Sequence, residues 1–68
     1  MNSWLSQWFD GTQQAQQGGI VRRDRYYVDK FSSMAEVIHE ANKRGWHVFE
    51  IGDQVVLLCN DGDLRVHC

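Results

Sequence analysis

The sequence predicts an α+β fold: a short N-terminal amphipathic helix, then a β-α-β-β-β order in which a small, mainly antiparallel sheet packs on one capped helix. Three observations carry this. Ser33–Arg44 reads as a capped amphipathic helix, and short apolar runs follow it, separated by Gly52-Asp53 and Asp61-Gly62. Ahead of both, the chain opens with MNSWLSQWFDG, dense in aromatic residues.

The N-terminal helix is expected to be capped by Ser3 and to begin at Trp4, with Asp10-Gly11 as its break. Trp4, Leu5, Trp8 and Phe9 then fall on one helical face. Thr12–Gln17 is polar but tolerates a helix, and Gly18-Gly19 ends it, so residues 10–19 read as a connector or a weak helical extension. This divides the chain into an aromatic helix with a Gln/Gly-rich connector (1–19) and a small α+β domain (20–68).

Ile20–Val28 (IVRRDRYYV) combines a β-branched start with an aromatic end and is expected to form a strand. The charges of Arg22, Arg23, Asp24 and Arg25 suit an edge position. In the next element Ser33 and Glu36 match a capping box, and Met34, Val37, Ile38 and Ala41 recur at helical spacing. Glu40 and Arg44 form an i,i+4 pair, Lys43 and Arg44 complement the helix dipole, and Gly45 is a natural C′ residue. Trp46–Ile51, Gln54–Cys59 and Leu64–His67 then read as a three-strand antiparallel meander.

Two-residue loops would place Trp46, Val48, Glu50, Val55, Leu57, Cys59, Leu64, Val66 and Cys68 on one sheet face. The other face would carry His47, Phe49, Ile51, Val56, Leu58, Arg65 and His67. Both faces are apolar, so two covers are needed, and the capped helix supplies one. The second is expected from the N-terminal helix, another copy of the chain or a different partner. In this register Cys68 lies roughly 13 Å along the strand from the residue opposite Cys59. A disulfide needs Cα atoms within about 7 Å, so none is expected within the chain.

At 68 residues the chain is one domain at most, and its 43% hydrophobic content argues against disorder throughout. A net charge of -2 gives no general attraction to nucleic acid or anionic lipid. No apolar run is long enough to span a membrane and no secretory signal is recognisable, so a soluble, cytoplasmic protein is expected.

Candidate chemistry is sparse. His39, His47, His67, Cys59 and Cys68 lack the close ligand pairs of a zinc site, and Asn60–Asp63 is only a fragment of a calcium loop. No metal or other cofactor is expected. There is no nucleophile–base–acid arrangement or phosphate loop, and an enzyme is not expected. One aromatic face on a segment without Lys or Arg is weak membrane anchoring.

A surplus of apolar surface instead points to a non-catalytic protein-interaction module: a small adaptor, inhibitor or regulator that binds another protein or itself. Trp4, Leu5, Trp8, Phe9, Tyr26 and Tyr27 are the expected contact residues, with core packing the competing role for the first four. The alternative is a nucleic-acid-binding module in which Arg22, Arg23 and Arg25 hold phosphates beside stacking tyrosines.

Overall fold

The structure, a computed structural model, describes residues 1–68 as four helices and three strands. In chain order these are α1 (Ser3–Asp10), α2 (Gln13–Gln16), β1 (Ile20–Asp24), α3 (Arg25–Phe31), α4 (Met34–Arg44), β2 (His47–Ile51) and β3 (Gln54–Leu58). The sheet is antiparallel in the order β1-β3-β2. The α+β class and the N-terminal helix are as the sequence predicts.

Local chemistry explains most of the boundaries. Asn2, rather than Ser3, caps α1, its side-chain oxygen accepting from the Leu5 N–H at 2.8 Å. The Asn2 amide also donates to the Phe31 carbonyl (2.8 Å), tying the start of α1 to the end of α3. Thr12 caps the single turn of α2 by accepting from the Ala15 N–H. Ser33 caps α4 as expected. The Glu36 carboxylate accepts from the Ser32 hydroxyl (2.7 Å), so only one half of the capping box forms. Gly45, at φ 71°, closes α4 with paired bonds from its own N–H to Asn42 and from the Trp46 N–H to Ala41.

The hairpin has the expected register, with Ile51 opposite Gln54, Phe49 opposite Val56 and His47 opposite Leu58. Gly52 at φ 59° and Asp53 make the two-residue turn, and glycine fits the first position of a type II′ turn. Val48, Glu50, Val55 and Leu57 therefore share one face, joined by Val21 and Arg23 from β1.

Two expected strands change. The strand over 20–28 stops at Asp24, where the Arg25 N–H donates to the Asp53 carbonyl, and residues from Arg25 onward are helical. Pairs at i,i+4 hold that helix: Arg25 with Asp29 (2.9 Å), Tyr27 stacked on Phe31, and Lys30 over the Tyr26 ring. They outweigh the β propensity of the tyrosines. Leu64–His67 forms no strand. Both edges of β3 are occupied, by β1 and by β2, so a meander has no edge left to extend.

All the buried clusters join one core. Leu5, Trp8 and Phe9 of α1 and Ala15 of α2 pack with Val28, Val37, Ala41 and the sheet residues Val21, Val55 and Leu57. α1 and α3 complete the cover that α4 begins, since Leu5, Trp8, Phe9 and Val28 join Val37 and Ala41 against the same sheet residues. The second cover thus lies on the same face as the first. Both cysteines are free, Cys59 in the core and Cys68 exposed. No helix is long and apolar enough to cross a membrane.

Candidate interaction surface

With every core helix on one side, the opposite face of the sheet lies open. Its cross-strand rows are Ile20–Leu58–His47, Arg22–Val56–Phe49 and Asp24–Gln54–Ile51. Ile51 is 66% exposed, Ile20 59% and Phe49 42%, arranged around the buried Val56 and half-buried Leu58. Large apolar side chains on a solvated sheet face are unusual, because antiparallel sheets normally turn polar residues outward. His47 Nε2 bonds the Gly62 carbonyl (2.7 Å), which holds the start of the C-terminal tail at one corner of this face.

The N-terminal residues expected to meet a partner are placed elsewhere. Leu5, Trp8 and Phe9 are 2%, 1% and 1% exposed, which gives them the core role. Trp4 is half-buried, its ring 5.6 Å from Trp8 and 5.8 Å from Phe31. Tyr26, Tyr27 and Phe31 are exposed on α3, and their rings continue the series through Trp4 into the core. Trp8–Phe9 and Phe9–Trp46 contacts extend it to the far side. Tyr26 and Tyr27 thus belong to this ring series on α3 and not to the cross-strand rows of the open sheet face. Trp8 Nε1 is buried without a hydrogen-bond partner.

The three arginines are not brought together. Arg22 lies on the open face of β1. Arg23 turns inward, its guanidinium 5.9 Å from the Trp8 ring centre and donating to the Arg22 carbonyl at 2.7 Å. Arg25 is held by Asp29 (2.9 Å) and Glu50 (2.7 Å), and those carboxylates raise its pKa further. One strand alternation and one helix start divide the three among different directions.

The strongest ionic cluster is structural. Arg44 sets both guanidinium nitrogens on the Asp10 carboxylate, at 2.6 and 3.0 Å, and also bonds Glu40 (3.1 Å). Its plane lies over the Phe9 and Trp46 rings. The Arg44 hydrogen bonds hold the Asp10 carboxyl below its ordinary value. Burial pushes the Glu40 carboxyl upward, but Arg44 and Lys43 outweigh it and the net shift is down. Burial raises the Cys59 thiol, the opposite of an activated nucleophile.

A shallow groove of about 380 Å³ lies between α1 and α4, lined in part by Met1, Leu5, His39 and Lys43. No group of three or more His, Cys, Asp or Glu side chains is placed to hold a metal ion. Sequence reasoning put Phe49, Ile51, Val56 and Leu58 on a second face but did not single them out as contact residues, and it missed Ile20. The alternation in strands 47–51 and 54–58 held the signal. No protein-family model, curated protein or solved structure matches this chain.

Proposed function

We propose that this chain is a non-catalytic protein-interaction module, a small adaptor, inhibitor or regulator, working through the open face of its sheet. One observation carries the reading: Ile20, Phe49 and Ile51 stand exposed around Val56 and Leu58 on a face that none of the four helices covers. Burying such a face against a protein removes apolar area from water at about 25 cal/mol per Å². The perturbed carboxylates and arginines are engaged in ion pairs that hold the fold, and Cys59 is buried, which supports a non-catalytic role. Two unbridged cysteines suit a reducing compartment, and we place the protein in the cytoplasm.

Nucleic-acid binding has less support, because Arg22, Arg23 and Arg25 point in different directions and Arg25 is neutralised. Cross-linking and recovery of bound macromolecules, with the wild type beside Ile20→Asp, Ile51→Asp and Arg22→Ala, separates the readings. A protein partner that is retained in high salt and lost in the two aspartate variants is expected. A bound nucleic acid that dissociates steeply with salt and is lost on Arg22→Ala would overturn the protein-interaction reading.

A further inference from the structure

The two edges of the sheet are not equivalent. Cys59 donates its backbone N–H to Gly19 (2.9 Å), so Val55 and Leu57 face β1, while Gln54, Val56 and Leu58 face β2. Opposite them, His47, Phe49 and Ile51 bond inward. The N–H and C=O groups of Val48 and Glu50 therefore point out along the free edge of β2. The outer edge of β1 is protected: Arg22 and Asp24 are charged, and the Arg23 guanidinium already occupies the Arg22 carbonyl. Glu50, the one Asp, Glu, Lys or Arg on β2, is neutralised by Arg25 at 2.7 Å. β2 is thus an edge strand whose protective charge is cancelled from within.

We propose that a second copy of this chain pairs on that edge, β2 against β2 in antiparallel register about Phe49, giving a continuous six-stranded sheet. This deepens the interaction reading and rests on it only in treating this side of the sheet as a contact surface. Three features select this partner and register. Centring on Phe49 lets Val48 of each copy exchange both backbone bonds with Glu50 of the other, using every outward-pointing group. It sets Phe49 directly opposite its own copy on the open face, a favourable aromatic cross-strand pair, and His47 opposite Ile51. A register centred on Glu50 would oppose two carboxylates, and one centred on Val48 would shorten the ladder.

The helical layer agrees with this. Glu40 and Arg44 mark the side of α4 that faces α1, through the bonds from Arg44 to Glu40 and to Asp10. Ile38 lies about 160° around the helix from Glu40, facing away from α1. α4 packs on β2, so this exposed isoleucine flanks the free edge and meets its counterpart across the two-fold axis.

Sedimentation or light scattering over a concentration series is expected to give twice the 7.9 kDa chain mass. Amide exchange at Val48 and Glu50 should slow as the dimer forms. Glu50→Pro removes an outward N–H without touching the β2–β3 ladder, and an edge strand tolerates proline there. It should yield a folded monomer, whereas Glu50→Gln, which loses only the Arg25 partner's charge, stays dimeric. Phe49→Lys, placing like charges opposite each other, should also dissociate the dimer with its far-ultraviolet dichroism unchanged. A wild type that remains monomeric overturns the proposal, as does a dimer indifferent to Glu50→Pro and Phe49→Lys or one also lost in Glu50→Gln. None of these results decides the partner-recovery experiment with Ile20→Asp, which sits at the opposite edge of the sheet.

Discussion

Arg44 and Asp10 are joined by two parallel hydrogen bonds, 2.6 and 3.0 Å long, between residues 34 positions apart. They fasten the end of α1 to the last turn of α4, and Glu40 supports the same guanidinium from one turn earlier. Replacing Arg44 with Met breaks the clasp and leaves Glu40, the one buried charged residue, with only Lys43. A loss of about 1–3 kcal/mol in urea unfolding is expected. Asp10→Asn should cost less, because the Asp10 carboxylate is half exposed and screened. Arg44→Lys should not restore the wild-type value, since an ammonium cannot make the forked contact or stack on Phe9 and Trp46.

The same cluster sets a pH dependence. Asp10 and Glu40 both have carboxyls lowered in the fold, from ordinary values of 3.8 and 4.5. A lowered folded pKa means that the unfolded chain takes up protons first on acidification. The contribution is therefore complete above those ordinary values and is lost as pH falls through the lower folded ones. Unfolding midpoints measured from neutral pH down should drop through the acid range, and Arg44→Met should flatten that drop. A drop of equal size in Arg44→Met would locate the acid sensitivity elsewhere.

Trp8 separates packing from hydrogen bonding. Its ring is fully buried, yet Nε1 has no partner. Trp8→Ala should cost about 3–5 kcal/mol. Trp8→Phe should cost distinctly less than its lost volume suggests, because it also removes an unsatisfied donor worth about 1–3 kcal/mol. A chain beginning at Gly18 lacks Leu5, Trp8, Phe9 and Ala15 and should lose cooperative unfolding in calorimetry. A stable, cooperative truncated domain would contradict the single shared core.

Gly45 offers a local test of the Schellman closure. At φ 71° an alanine is strained, although the space beside it is ordinary, with the Asp61 Cβ 3.4 Å from an added Cβ. Gly45→Ala should lower stability by about 1–2 kcal/mol through backbone strain alone. Thermal unfolding of this variant beside Gly52→Ala, where φ is also positive at 59° and nothing lies within 4 Å of an added Cβ, checks the attribution: a comparable loss at both sites is expected from strain alone.

Much of this architecture could be read from local chemistry. Ser33, the Met34–Ala41 stripe and Gly45 define α4, and Gly52-Asp53 sets the register that puts Phe49 and Ile51 on the second face. What could not be read depended on long-range choices. β1 takes the free edge of β3, which denies Leu64–His67 its place in the sheet. Arg25–Phe31 is helical because its i,i+4 contacts outweigh strand propensity, a balance too fine for residue type to decide. The open face followed the same pattern: its residues were legible, but its exposure depended on which side α1 would choose.

Seven of the eight aromatic rings stand in one continuous series from Tyr26 to Trp46, and Phe49 alone lies outside it. The chain therefore carries an optical division between its two sides. Tyrosine and tryptophan emission will follow the helical layer and the core beneath it as one connected series, away from the open face of the sheet. A Phe49→Trp replacement would place a solitary indole on that face, where its spectrum reports contact with another molecule directly.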